Sequence, residues 1–418
     1  MSYSTASSTD EPPGAVRLSG WDYATWRSAT ADPMFRGPLV AVVQLAGNPG
    51  RDQVLSRLVR ALPYGPLTRR LEVIDGHPYL VPAEVVPADH LIECRTSSRE
   101  DLHANLAVAI AEPFPADRPP WRILLHESGD GRTTLALAMD HAVADGRAAL
   151  GLGSALFDGW EPPRDRRRHD PARRAQVTRR SSLVENLGLA RSVLRLTRVH
   201  DRPLSPLLTG RGPAQIWELI DVDPAALRDS ARQNGITVND AFVGGVLTGL
   251  GAYHSARGVE VDALRVNIPI SLRGADRSGG NSLAVARARL PIPGVAQGNV
   301  LADIHNELVS WRAEPALAQS DRLAEASRLL PIGMLAALAK TSDATISNLG
   351  PVSGGATIGG HRVERVYPLP STMGVALSVA LLTFGDVGCM GVAIDPAAVT
   401  DPNHLLDLLR SALSARPR

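Results

Sequence analysis

The stretch from Thr133 to Trp160, TTLALAMDHAVADGRAALGLGSALFDGW, constrains the fold more than any other part of the sequence. Thr133 to Met139 is short and almost continuously apolar, as expected of a strand buried on both faces. Gly146 to Leu156 carries Ala and Leu at helical spacing. A buried strand passing through a tight turn into a helix is the repeating unit of α/β architectures. His141 falls in that turn. Reacting groups in α/β proteins gather beyond the carboxyl ends of strands, and imidazole titrates near neutrality, so His141 is the candidate general base. Asp145, just before Gly146, is placed to steer the histidine loop or to cap the helix.

Both residues also have ordinary structural uses at a strand end and a helix start. The i, i+4 spacing would suit a metal pair were the turn helical, but no H-E-x-x-H and no nearby third ligand accompanies it, so no metal is expected. Spacing alone leaves the catalytic role open.

Around this segment, residues 15–160 alternate short apolar strands with helical stretches. Strands are expected at Leu39 to Leu45, Glu72 to Ile74, Ile123 to His126 and Thr133 to Met139, with helices over Gln53 to Leu62 and Arg99 to Glu112. The sharpest change of composition is EPPRDRRRHDPARRAQVTRR from Glu161, with three prolines and eight arginines. It marks residues 161–212 as a linker with a crossover helix over Ser182 to Arg198. A second lobe is expected over 213–418. It opens with a strand from Gln215 to Val222, then Asp223-Pro224 before a helix to Asn234, Gly235 closing it, and a helix from Val238 entered through Asn239-Asp240. Strands at Leu264 to Ile270, Ala344 to Ser347 and Val375 to Leu382, and helices at Val300 to Trp311, Leu329 to Lys340 and Asn403 to Ser414, follow. The Ser/Thr/Pro-rich residues 1–14 read as a disordered tip without the features of a signal peptide.

Charge and cysteine usage narrow the function classes. Forty-four basic against 43 acidic side chains give +1, which argues against nucleic acid or an acidic polymer as the main partner. Two distant cysteines, Cys94 and Cys389, give neither a disulfide framework nor a zinc motif, and a reducing cytoplasm is expected. No apolar run is long enough to span a bilayer, so membrane contact is expected to be peripheral at most. There is no G-x-S-x-G elbow and no cysteine beside a histidine, so a covalent acyl-enzyme has no candidate nucleophile.

Asp140-His141-Ala142-Val143-Ala144-Asp145-Gly146 resembles the H-H-x-x-x-D-G motif of the chloramphenicol acetyltransferase-like superfamily, which includes condensation domains and the bacterial wax ester synthase/diacylglycerol acyltransferases. The resemblance to the latter branch runs along most of the chain. Pro119-Pro120-Trp121 resembles its P-L-W, Thr237-Val238-Asn239-Asp240 its T-V-N-D, and Ile268-Pro269-Ile270-Ser271-Leu272-Arg273 its V-P-V-S-L-R. Gly280-Asn281 resembles its G-N, and Ser347-Asn348-Leu349-Gly350-Pro351 its S-N-x-P-G-P region.

The resemblance implies an α/β (α+β) fold of two lobes, each a mixed sheet flanked by helices, with a tunnel between them and His141 at its centre. It implies acyl transfer from acyl-CoA or a phosphopantetheine-linked carrier to a small-molecule alcohol or amine, with no bound cofactor. Asp145 and Arg273 would form a structural ion pair beside Gly146. The candidates for holding substrate or the oxyanion are Asn348, Ser347, a backbone N–H near Gly350, Trp121 and Asn239, with core packing the alternative for Trp121 and helix capping for Asn239-Asp240. Asp140 departs from the pattern by replacing the first histidine; a carboxylate there could raise the pKa of the base, bind a cation, or face away. A condensation-type enzyme repurposed for cyclisation, and a non-catalytic binding protein, are the competing readings. The arginine-rich linker is either a solvated face or a docking surface for an acidic acyl carrier protein, a phosphopantetheine or nucleotide phosphate, or an anionic membrane.

Overall fold

The structure, a computed structural model, describes residues 4–6, 12–18, 20–96, 99–129, 131–144, 146–161, 191, 192, 195, 198, 200–271, 283–316, 325, 328 and 331–414. It is a mixed α/β fold built on two six-stranded sheets and one smaller sheet.

The first half of the chain contributes β1 (Ser4–Ala6), β2 (Val16–Arg17), β3 (Leu39–Leu45), β4 (Arg69–Ile74), β5 (His77–Pro82), β6 (Leu91–Thr96), β7 (Trp121–Ser128) and β8 (Thr133–Met139). Its helices are α1 (Gly20–Ala31), α2 (Gly50–Ala61), α3 (Arg99–Ala111) and α4 (Gly146–Leu156). In β8, six of seven residues are buried, because the strand lies between β3 and β7 with apolar side chains on both faces.

The second half contributes β9 (Ile216–Val222), β10 (Ala263–Ser271), β11 (Leu283–Pro291), β12 (Ala344–Val352), β13 (Thr357–Ile358), β14 (His361–Leu369), β15 (Leu377–Phe384) and β16 (Val387–Ile394). Its helices are α5 (Pro224–Asn234), α6 (Val238–Ser255), α7 (Val300–Arg312), α8 (Ile332–Lys340) and α9 (Pro402–Ser414). The signals at α5 work as chemistry requires. Asp223 accepts the Ala225 amide at 2.8 Å, Pro224 occupies the first turn where no N–H is needed, and Gly235 takes the left-handed conformation at φ 64°.

The second sheet runs β11-β10-β12-β15-β16-β9. Side chains on one face, among them Val266, Ile268, Ile346, Val379 and Val392, form a single core with α6 and α9. Those on the other face turn towards the first lobe. Leu382, Cys389 and the partly buried Trp217 and Leu219 join the core of the first sheet.

The first sheet runs β13-β14-β3-β8-β7-β6, so two of its strands come from the second half of the chain. β14 pairs antiparallel with β3, from Val363 opposite Leu45 to Leu369 opposite Val40. Residues 357–369, read from sequence as part of the second lobe, therefore complete the sheet of the first. Tyr367 donates its hydroxyl to Asp221 Oδ1 at 2.6 Å and Arg365 Nε donates to Asp221 Oδ2 at 3.0 Å, which ties the crossing strand to β9. Gly391 makes room for it: a Cβ there would lie 2.0 Å from the Pro368 carbonyl oxygen.

Other expectations are corrected or fall outside the described residues. Ser4–Ala6, in the stretch expected to be disordered, adds in parallel to Glu72–Ile74, whose outer edge would otherwise leave ladder groups unpaired. The arginine-rich residues 162–180, and most of the helix expected over 182–198, lie outside the described residues.

Candidate active site

β8 ends at Met139, and the chain turns at once. The Asp140 amide donates to the Pro120 carbonyl at 2.9 Å and the Val143 amide to the Asp140 carbonyl at 3.1 Å. Asp140 Oδ1 accepts the Ala142 amide at 2.8 Å, a side-chain-closed turn. The residue that replaces the first motif histidine is therefore committed to its own loop and borders a small pocket walled by Leu71, Phe114, Arg118 and Pro120. Burial pushes its carboxyl above the usual carboxylate range, against the opposing effects of the Ala142 amide and a charge on His141.

His141 stands out from this turn by its exposure. Asp140, Ala142, Val143 and Ala144 are all buried, and His141 alone is half-buried. Ala142 packs with Leu18 and Leu71 beneath Tyr23 and Trp26 of α1, while Val143 and Ala144 join the core of the first sheet. The imidazole keeps Nδ1 shielded from solvent. A turn locked on both sides by packing holds one ring at a defined place and leaves part of it open.

The second lobe reaches this turn through β12. Its pairing with β15 slips between Asn348 and Gly350, where Gly350 has φ 87°. Asn348 Oδ1 accepts the Gly350 amide at 3.0 Å, so that backbone N–H is already committed, whereas the bond leaves the Asn348 Nδ2 donors unused. Register places Asn348 opposite Leu381, on the helix-covered side, and Ser347 opposite Ala380, on the side facing the first lobe. The bulge pushes Leu349 into the core of the first lobe. A Cβ on Gly146 would sit 3.2 Å from Leu349 Cδ2, so Gly146 is the point of closest approach between the motif helix and the bulge.

The structure thus sets Gly146, at the start of the helix that follows the Asp140-His141 turn, against Leu349, next along the chain to Ser347 and Asn348. Asp145, Arg273 and Gly280-Asn281 lie outside the described residues.

Trp121 is a core residue. It is 2% exposed, donates Nε1 to the Leu67 carbonyl at 3.0 Å, and stacks on His90 with ring centroids 3.9 Å apart. Its strand supports the turn instead, because Trp121 pairs with Met139 and Pro120 receives the Asp140 amide.

Asp240, three residues after the cap Thr237, closes a capping box at the start of α6 in which Asn239 takes no part. Thr237 Oγ1 accepts the Asp240 amide and Asp240 Oδ2 accepts the Thr237 amide. Asp240 is fully buried, with His305 Nδ1 at 2.6 Å and Arg312 at 3.6 Å. Burial favours the neutral acid, but the bonds from His305 and Thr237 outweigh it and hold the carboxyl below the usual range. His305 and Arg312 carry no sequence signal of this role, because they lie far along the chain on α7. Among the described residues, no group of three or more His, Cys, Asp or Glu side chains is placed to hold a metal ion, and no helix is long and apolar enough to cross a membrane.

The chain is similar in sequence and fold to known proteins. Residues 279–415 match the WS/DGAT C-terminal domain family. A Mycobacterium tuberculosis H37Rv protein whose name describes a diacylglycerol O-acyltransferase is 27% identical over 97% of this chain and 92% of its own length. The wax ester synthase/diacylglycerol acyltransferase of Marinobacter aquaeolei VT8 superposes with a TM-score of 0.62 over 95% of this chain and 98% of its own, at 16% identity. The starter condensation domain of rhizomide synthetase, solved with C8-CoA, gives a TM-score of 0.65 over 96% and 94%, at 12% identity. The first condensation domain of the CDA synthetase gives 0.61 over 96% and 97%, at 18% identity. At such low identities the structural likenesses establish the two-lobed fold.

Proposed function

We propose that the chain is an O-acyltransferase of the wax ester synthase/diacylglycerol acyltransferase kind, and that it moves an acyl group from a thioester to an alcohol with His141 as general base, a reading supported by the family match over residues 279–415 and by the similar proteins. The observation that carries this reading is the exposure pattern of the motif turn, in which His141 alone is open between buried neighbours.

The chemistry follows from that placement. An alcohol hydroxyl hydrogen-bonded to the imidazole gives up its proton as its oxygen attacks the thioester carbonyl, forming a C–O bond and a tetrahedral oxyanion. Collapse of the oxyanion breaks the C–S bond, and the imidazolium returns the proton to the departing thiolate. Because the Gly350 amide is held by Asn348 and Asn348 itself lies on the helix-covered side, Ser347 becomes the candidate donor to the oxyanion: the residue is half-buried on the side facing the first lobe, and its hydroxyl has no hydrogen-bond partner among the described residues. Asp140 acts as a positioning residue, since its carboxylate closes the turn that carries His141.

The donor class is coenzyme A or a carrier-bound phosphopantetheine, in keeping with the C8-CoA bound by the rhizomide condensation domain. The acceptor is a small alcohol. Titration of released thiol with octanoyl-CoA and a panel of alcohols tests the reading. Acceptor-dependent release with a matching ester in the product supports it, and release that ignores the acceptor contradicts it.

A further inference from the structure

β10 alternates in an unusual way. Its helix-side residues Leu264, Val266 and Ile268 are core, while Arg265 and Asn267 stand on the side facing the first lobe. On β11, Arg287 pairs with Asn267. Neither Arg265 nor Arg287 has a carboxylate partner among the described residues. Arg265 Nη1 donates to the carbonyls of Arg202 and Thr341 at 2.9 and 2.6 Å. Arg287 donates to the Arg198 carbonyl at 2.8 Å and to Thr341 Oγ1 at 2.7 Å, and its Nε is buried with no acceptor.

The nearest buried acid, Asp343, favours the charge of Arg265 from nearby but makes no ion pair with Arg265 or Arg287 among the described residues. Asp343 is fully buried and accepts the amides of Leu204, Ser205 and Arg265. Burial, reinforced by the neighbouring charge of Arg265, pushes Arg287 down to about 10, and the charges of Arg265, Arg287 and Arg198 add to burial in pushing His200 below its usual range. Three guanidinium groups and an imidazole held neutral by them, from three segments, thus gather where an anion would be favoured.

This cluster stands at the opposite end of β12 from the His141 turn. Leu349, beside Gly146, is six residues from Asp343, whose amide is bonded to the Arg265 carbonyl. At ~3.3 Å per residue that is about 20 Å, within the reach of an extended phosphopantetheine arm. Between the two ends, Asn267, Thr345 and Ser347 offer half-buried, neutral, hydrogen-bonding side chains on the face turned to the first lobe.

We propose that Arg265 and Arg287, with Arg198 and His200, bind the phosphate end of the thioester donor, whose pantetheine arm lies along Asn267, Thr345 and Ser347. The proposal rests on the acyltransferase reading above and adds the place where the donor's charge is held. The shared chemistry is a phosphate ester, supplied by coenzyme A or by a carrier's phosphopantetheine.

The test compares octanoyl thioesters of coenzyme A, 4′-phosphopantetheine and N-acetylcysteamine, which carries no phosphate, in the wild type, Arg287→Gln and Arg287→Lys. In Arg287→Gln the kcat/KM ratio of the coenzyme A substrate to the N-acetylcysteamine substrate should fall about ten-fold or more through KM, with partial rescue in Arg287→Lys. If the phosphopantetheine thioester loses as much, the site reads the arm's own phosphate; if it follows N-acetylcysteamine, the site reads the nucleotide phosphates. An unchanged ratio overturns the proposal, whether all substrates lose equally through damage to the fold or none loses. Calorimetric binding of coenzyme A against pantetheine separates this from failure of the acyltransferase reading. Binding that needs the phosphate and is lost in Arg287→Gln supports the anion site even without turnover, and wild-type protein that binds the two alike overturns it.

Discussion

Gly146 at the start of α4 and Leu349 in the bulge of β12 come from different lobes and meet so closely that a Cβ at position 146 would lie 3.2 Å from Leu349 Cδ2. The atom approached is the far end of a flexible side chain, so Gly146→Ala should fold with little change in thermal stability. The cost should appear in turnover, through whatever part of the few-tenths-of-an-ångström displacement of Leu349 is passed to its chain neighbours Ser347 and Asn348. Thiol-release assays should show a several-fold loss in Gly146→Ala and recovery in Gly146→Ala/Leu349→Ala. A double variant as slow as the single one would show that this contact does not set the site.

Asp240 anchors α6 to α7 through His305 and Arg312. Its folded pKa is lowered, so the stability it contributes is present above its unfolded value near ~3.9 and is lost as pH falls through the lower folded value. Asp240→Asn should cost about 1–3 kcal/mol at pH 7, because the half-buried Arg312 loses its counter-charge and His305 its strongest acceptor. Chemical denaturation across pH should show the gap to wild type closing as the carboxyl protonates below the ordinary aspartate range.

Asp140 has the opposite sign. Its folded pKa is raised by burial, so stability falls as pH rises from about 3.9 through the folded value. Asp140→Asn keeps the oxygen that accepts the Ala142 amide and removes the buried charge. Its melting temperature should exceed that of wild type at pH 7, with the difference vanishing near pH 4. Asp140→Ala should instead lose about 1–3 kcal/mol by stranding the Ala142 amide.

The motif turn was legible in the sequence because its signals are local. β8 and α4 occupy the ranges that their apolar patterns mark, and the caps of α5 stand where Asp223 and Gly235 place them, whereas α6 is capped by Thr237 with Asp240 and not by Asn239. What could not be read was pairing across distance. HRVERVYPL looks like a weak, proline-bearing edge segment, yet it crosses to pair with β3 because Gly391 and Asp221, on two other strands, receive it. For the same reason the mutual bond of Asn348 and Gly350, and the gathering of Arg265 with Arg287, carry no mark within their own stretches of chain. Both depend on a bulge or a strand register that only the folded sheet defines.

The thiol assay itself depends on a quiet background. Cys389 is fully buried and its thiol is pushed up to about 12, chiefly by desolvation, while Cys94 is half-buried and also raised by burial. Native protein at pH 8 should therefore react slowly with a disulfide reagent, and unfolding in guanidinium should release both cysteines. Rapid labelling of Cys389 in the native state would contradict the packing of β16 against β14.

The most direct test of the central claim is acceptor-dependent thiol release by His141→Ala, measured on protein shown by its melting curve to be folded. The expected result is a fall of about 10²-fold or more in kcat with octanoyl-CoA and an alcohol acceptor. A folded His141→Ala protein that transfers the acyl group at the wild-type rate would contradict the assignment of that imidazole as the base.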